Sequence, residues 1–168
     1  VAESVENLRK SKNVEVIYLN VNDKGDVDLL QLEKLLKESD RKTLVSLMHA
    51  NNEIGNLLDI EKVANICKEN HAYFHSDTVQ TMAHLPLDFS KILVDFASCS
   101  AHKFHGPKGA GFAFIRKNTH LKAQIHGGTQ ERSHRAGTEN VVGIVGLGKA
   151  FEISVDHLEQ YSNHIQEI

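Results

Sequence analysis

The chain has 168 residues, 40% of them apolar and 24% charged, a composition that fits a globular domain with a buried core. Its 19 Lys and Arg against 22 Asp and Glu give a formal charge of −3, which argues against a nucleic-acid-binding surface. No apolar run approaches the roughly 18 residues of a membrane span, and the opening Val1-Ala2-Glu3-Ser4-Val5-Glu6 lacks the pattern of a signal peptide; the expected location is the cytoplasm, with neither nucleic acid nor membrane as partner.

In chain order, short apolar runs alternate with stretches of helical period, the pattern of an α/β domain with a mainly parallel sheet and helices on both faces. Val1 to Lys10 reads as the last turns of a helix, and Val14 to Leu19 as the first strand. After the turn at Asp23-Lys24-Gly25, Leu29, Leu32, Leu35 and Leu36 recur at helical spacing, with Asp26 or Asp28 as N-cap. A strand is expected at Thr43 to Met48, a helix through Ile60, Val63, Ala64 and Cys67, and strands at Ala72 to His75 and Val94 to Ser98. Gly111 to Ile115 makes one more strand, joined by a connection too short for a crossover helix and therefore antiparallel to its neighbour. The helix from about Asn140 to Ile168 is expected to bury Val141, Ile144, Val145, Leu147 and Ala150. Both ends of the chain fall inside helical pattern and no repeat or linker interrupts it, so residues 1–168 read as part of one larger domain. Cys67 and Cys99 are too few for a disulfide framework and lie in apolar stretches, as buried free thiols do.

The informative residues follow the strands. In open α/β sheets ligands bind beyond the carboxyl ends of the strands, and three such ends deliver Asn51-Asn52-Glu53, Ser76-Asp77-Thr78-Val79-Gln80 and Ser100-Ala101-His102-Lys103. The third runs on into Gly106-Pro107-Lys108-Gly109-Ala110-Gly111. That glycine segment lacks the Gly-Lys-Ser/Thr ending of a P-loop and leads into a strand rather than a helix, which disfavours ATP. Viewed alone, its glycines only turn the chain tightly. Lys103 viewed alone is a solvated lysine at a strand end. In combination the set matches the needs of pyridoxal phosphate (PLP): an amine to condense with the aldehyde, a carboxylate (Asp77) to keep the pyridine nitrogen protonated, and hydroxyl and imidazole donors (Ser100, His102) for the phosphate. Gln80 lies three residues after Asp77, one helical turn on, so both side chains can face one ring. The eleven histidines raise a metal as a rival. Pairs such as His102 and His105, or His71 and His75, have usable spacing, but no Cys/His cluster completes a closed site, and no metal is expected.

Four ordered strings carry a resemblance: His49-Ala50-Asn51-Asn52-Glu53-Ile54-Gly55, His75-Ser76-Asp77-Thr78-Val79-Gln80, Ser100-Ala101-His102-Lys103-Phe104-His105-Gly106-Pro107-Lys108-Gly109, and Gly127-Gly128-Thr129-Gln130-Glu131-Arg132 with Arg135-Ala136-Gly137-Thr138-Glu139-Asn140. Together they resemble the cofactor motifs of the cysteine desulfurase and selenocysteine lyase family, among the fold-type I, class V aminotransferases. The resemblance implies that Lys103 carries PLP covalently and shuttles the proton between the substrate α-carbon and the cofactor. It implies that Asp77 pairs with the pyridinium nitrogen and Gln80 donates to the phenolic oxygen. Asn52 would lie against that oxygen and the substrate, with Ser100 and His102 on the phosphate. Thr138 would reach the phosphate of a neighbouring subunit, which implies a homodimer. The family reaction takes sulfur from L-cysteine, leaves alanine and holds the sulfur as a cysteine persulfide for an acceptor or scaffold protein, as in iron–sulfur cluster assembly.

The resemblance also implies residues beyond this stretch. The side chain that stacks on PLP would precede Val1, and the persulfide cysteine would follow Ile168, along with a C-terminal small domain; in a eukaryote the compartment would be the mitochondrial matrix. Thr129 stands where many relatives have a third glycine. Three alternatives stay open on the sequence: a selenocysteine lyase, another class V aminotransferase, and a noncatalytic fragment or scaffold that only assembles. As an isolated piece the chain is expected to be inactive.

Overall fold

The computed structural model describes residues 2–167. Its elements run α1 (Ala2–Lys12), α2 (Leu29–Glu38), β1 (Leu44–Met48), α3 (Ile60–Glu69), β2 (Tyr73–Asp77), β3 (Phe96–Ser100), the 3-10 turn η1 (Ala101–Phe104), β4 (Gly111–Ile115), the short helical turn α4 (Gln130–Ser133), α5 (Val141–Asp156) and α6 (Leu158–Gln166). The strands form one mixed sheet in the order β1-β2-β3-β4, with β1, β2 and β3 parallel and β4 antiparallel to β3. This is the expected α/β architecture, antiparallel strand included.

The two helices next to the sheet start where short acidic side chains can accept an otherwise unpaired amide. Asp28 accepts from the Gln31 N–H and Asp59 from the Lys62 N–H, so Asp28 is the cap of α2. The buried stripe of α2 (Leu32, Leu36) and that of α3 (Ile60, Val63, Ala64, Ile66, Cys67) close over Val45, Phe74 and Ala97 of the sheet. Val63, Phe74 and Val94 are wholly buried. The loop leading into β3 is held by Arg116, whose guanidinium donates to the carbonyls of Phe89, Ile92 and Val94 at 2.6–2.9 Å. Burial alternates along β2 and β3: Phe74, Ser76, Ala97 and Cys99 are buried, while His75, Asp77, Ser98 and Ser100 are half-buried.

Three expectations are corrected. Val14 to Leu19 is not a strand: Ile17 and Tyr18 are exposed, and the pairing in this region is a single bridge between Val21 and Val27. β propensity makes a strand only where another strand offers its amides and carbonyls. The terminal helix is two helices, α5 and α6, broken at His157, whose ring Nδ1 lies 2.9 Å from the Ile153 carbonyl oxygen and joins the backbone amide there; Ile168 lies outside the described residues. Finally, Val141, Ile144 and Val145 are exposed rather than buried. α5 packs through Leu147, Ala150 and Phe151, which lie against Phe104 and Phe112, so its apolar first turns have no covering element among the described residues.

Strands β2 and β3 also end two residues later than expected, so Asp77 and Ser100 are strand residues. Just before Asp77, Ser76 is fully buried, and among the described residues its Oγ has no hydrogen-bond partner. A hydroxyl left unpaired in a core costs more than the apolar atom that replaces it. Ser76→Ala is therefore expected to leave stability unchanged or raise it by up to about 1 kcal/mol. Phe74→Ala, two residues earlier on the same face, is expected to lose about 3–5 kcal/mol. Urea unfolding midpoints of the two variants check both.

Candidate functional site

The register Met48↔Asp77↔Ser98 places the carboxyl ends of β1, β2 and β3 along one edge of the sheet. The backbone closes this edge. The His49 N–H donates to the Asp77 carbonyl at 2.9 Å, and the Thr78 N–H and Oγ1 both donate to the Ser98 carbonyl, at 3.1 and 2.9 Å. Asp77 is half-buried at the end of β2, and its Oδ1 accepts from the Val79 N–H at 3.0 Å. Gln80, also half-buried, rides on the turn that follows, in which the amides of Thr81 and Met82 bond back to the Thr78 carbonyl. Asn52 is exposed on the loop after β1, where its Nδ2 donates to Glu53 at 2.7 Å.

The third strand end is the most constrained. Ser100 ends β3 and precedes η1, which carries exposed His102 and half-buried Lys103 between the buried Ala101 and Phe104. The Ser100 Oγ and His102 Nδ1 lie 2.8 Å apart, one accepting from the other. A left-handed His105 (φ 64°) then turns the chain so tightly that a Cβ on Gly106 would lie 2.9 Å from the Ala101 Cβ. At the start of β4 a Cβ on Gly111 would lie 2.5 Å from the Cys99 carbonyl oxygen, which is why glycine occupies the position opposite Ser100. Phe151 of α5 meets Phe104 and Phe112 edge-on, with ring centroids 5.7 and 6.0 Å apart, and so braces η1 from behind.

The fourth string is shaped differently. Glu131, Arg132 and Ser133 are consecutive left-handed residues without being glycines. Their loop is tied by the Gln130 Oε1 accepting from the Gly137 N–H, by Arg135 donating to the Gly137 carbonyl, and by the Arg135–Glu131 ion pair. Thr138 follows on an exposed stretch just before α5.

Topology thus brings Asn52, Asp77, Gln80, Ser100, His102 and Lys103 to one sheet edge and leaves Thr138 on a separate loop. The cavity of about 530 Å³ lined by Asn20, Asp28, Leu29, Lys62 and Ile66, among others, borders none of the seven. Three residues given no role from the sequence, His49, Thr81 and His84, shape the edge. The ring of buried His49 lies 2.9 Å from the Thr81 Oγ1, and the His84 Nε2 lies 2.8 Å from the Lys103 carbonyl oxygen. These contacts link residues 32 and 19 positions apart, so no local spacing announces them. Burial pushes the thiols of Cys67 and Cys99 up to about 12 and about 11, so both stay protonated and unreactive near neutrality. Among the described residues, no cluster of three or more His, Cys, Asp or Glu could hold a metal.

The family model for aminotransferase class-V matches residues 2–168. The chain belongs to the aminotransferase class-V family. Members of this family are PLP-dependent enzymes. The chain is 46% identical over 154 residues to a cysteine desulfurase IscS of Dictyoglomus turgidum, covering 92% of this chain and 39% of that protein. It is likewise 46% identical over 151 residues to a cysteine desulfurase IscS of Methanosarcina thermophila, covering 90% and 37%. It therefore spans about two fifths of the length of these curated relatives. Among solved structures it superposes on a NifS-like protein with a TM-score of 0.93 and 44% identity, covering 99% of this chain and 46% of the other. SspA in complex with cysteine gives a TM-score of 0.83 and 34% identity over 89% of this chain and 43% of the other.

Burial holds His49 below the usual imidazole range, and His75 too, where the Asp77 carboxylate pulls in the opposite direction. Both rings fold neutral. The unfolded chain takes up their protons first, so their contribution to stability is complete above about pH 6.5 and declines as pH falls through and below that value. The urea midpoint is expected to fall between about pH 7.5 and pH 5.5. His49→Asn keeps a side-chain partner for Thr81 without a titrating ring and should show a smaller drop. An identical drop in the variant would remove His49 from this account.

Proposed function

We propose that this chain forms the PLP-holding core of a homodimeric cysteine desulfurase, which converts L-cysteine and an enzyme thiol to alanine and an enzyme persulfide. The observation that carries this reading is the β2–β3 register, which sets the Asp77 carboxylate beside the strand whose end delivers Ser100, His102 and Lys103. The named cysteine desulfurases among its relatives, and the cysteine complex of SspA, support cysteine as substrate over selenocysteine.

The donor set fits PLP. When bound, PLP supplies an electron-accepting ring conjugated to the substrate amine. Lys103 holds the cofactor and carries the proton to and from the substrate α-carbon. Asp77, half-buried and already oriented by the Val79 amide, keeps the proton on the pyridine nitrogen. Gln80 and Asn52 donate to the phenolic oxygen, and Asn52 also meets the substrate. The 2.8 Å contact between the Ser100 Oγ and the His102 Nδ1 holds the hydroxyl and the imidazole side by side, and both serve the phosphate. Thr138, outside this cluster, serves the phosphate in the second subunit of the dimer. The thiols of Cys67 and Cys99 are too basic and too buried to receive the sulfur, so the accepting cysteine is neither of these. The persulfide then passes to an acceptor or scaffold protein in the cytoplasm, or in the mitochondrial matrix of a eukaryote.

Asp77→Asn tests the assignment. The amide cannot hold the ring proton, while the covalent link and the phosphate contacts remain. Alanine and sulfide production by the full-length protein should fall on the order of 100-fold, with PLP content close to that of the unmodified protein. Unchanged turnover with an unchanged visible spectrum would contradict the role given to Asp77.

A further inference from the structure

The carbonyls at the end of a helix lack donors from their own helix. In η1 the His105 and Gly106 amides both return to the Ala101 carbonyl, and the Lys103 carbonyl is met instead from outside, by the His84 Nε2 at 2.8 Å. A carbonyl only accepts, so Nε2 carries the hydrogen. His84 is exposed, but its backbone is well held. Its amide and that of Leu85 both donate to the Thr81 carbonyl, at 3.0 and 2.9 Å, and the Thr81 hydroxyl is fixed by buried His49. Just ahead of it, buried Ala83 adopts the left-handed region (φ 62°), a conformation unfavourable for a residue with a Cβ. The chain accepts that strain at the residue that aims His84 at η1. A continuous series of contacts, His49 to Thr81 to His84 to the Lys103 carbonyl, therefore joins the end of β1 to the lysine segment.

We infer that His84 is a positioning residue for Lys103: by holding the Lys103 carbonyl it fixes the backbone from which the amine reaches the cofactor. This rests on the reading of Lys103 as the PLP-bearing lysine. Because the hydrogen bond is exposed, it adds little to global stability, and its effect should be local. The expected signature is a lysine that still reacts but from a less ordered backbone.

The test compares the full-length protein with His84→Ala and with His84→Gln, whose amide can donate from near the Nε2 position. In the cofactor-free protein, amide hydrogen exchange over residues 101–106 should be about tenfold faster in the Ala variant, with the Gln variant close to the unmodified protein. On adding PLP, covalent uptake followed by visible absorbance should slow about tenfold in the Ala variant and recover in the Gln variant. In turnover, kcat should fall with little change in KM for cysteine. Equal exchange in all three proteins, or faster exchange with unaltered PLP uptake, overturns the inference. An unmodified protein that takes up no PLP on Lys103 overturns the functional reading instead, while the exchange comparison still decides whether His84 orders the segment.

Discussion

The amide that follows each of the first two strands donates to a carbonyl of the next strand: His49 to Asp77, the last residue of β2, and Thr78 to Ser98, two residues before the end of β3. Everything chemical in the chain depends on that stagger. Side chains in a strand alternate between faces, so a slip of one residue would turn Asp77 to the face now held by Ser76 and drive a carboxylate toward Phe74 and Val45. Burying an unpaired carboxylate is among the costliest changes a fold can suffer, and the apolar core thereby enforces the position of the polar edge. The Thr78 hydroxyl adds a second bond to the Ser98 carbonyl at the point where β2 and β3 part.

The lysine segment is made rigid by crowding. Gly106 and Gly111 let the backbone approach Ala101 and Cys99 more closely than any Cβ would allow, and Phe104, wholly buried against Phe151, pins the far end of η1. Burial of such a ring stabilises by about 2–3 kcal/mol. Lys103 thus projects from a turn fixed on both sides, as a group held for covalent chemistry should. The loop before α5 uses another means, three left-handed residues secured by Gln130 and Arg135.

What the sequence disclosed followed from local rules. An aspartate cap (Asp26 or Asp28, of which Asp28 is the one used), the Leu stripe of α2, and the short β3–β4 connection that forces an antiparallel pair each involve neighbours in the chain, and each is present. Errors came where a partner distant in sequence decides. Val14 to Leu19 has strand-forming residues but no ladder, and α5 turns its first valines outward because Leu147 and Phe151 find the aromatic cluster. Asp77 and Ser100, expected just after their strands, lie within them because the ladders run on to both residues. The motif residues at the strand ends were legible through their chemistry. The bonds of His49 and His84 were not, since a histidine 19 or 32 positions from its partner leaves no periodic trace.

In the proposed function the three parallel strand ends hold PLP, with Lys103 as its covalent anchor. Borohydride reduction of the PLP-loaded full-length protein, followed by proteolysis and peptide mapping, reads this directly. A reduced pyridoxyl group is expected on Lys103 and on no other lysine of this stretch. A label on Lys108 or another lysine, with Lys103 unmodified, would contradict it.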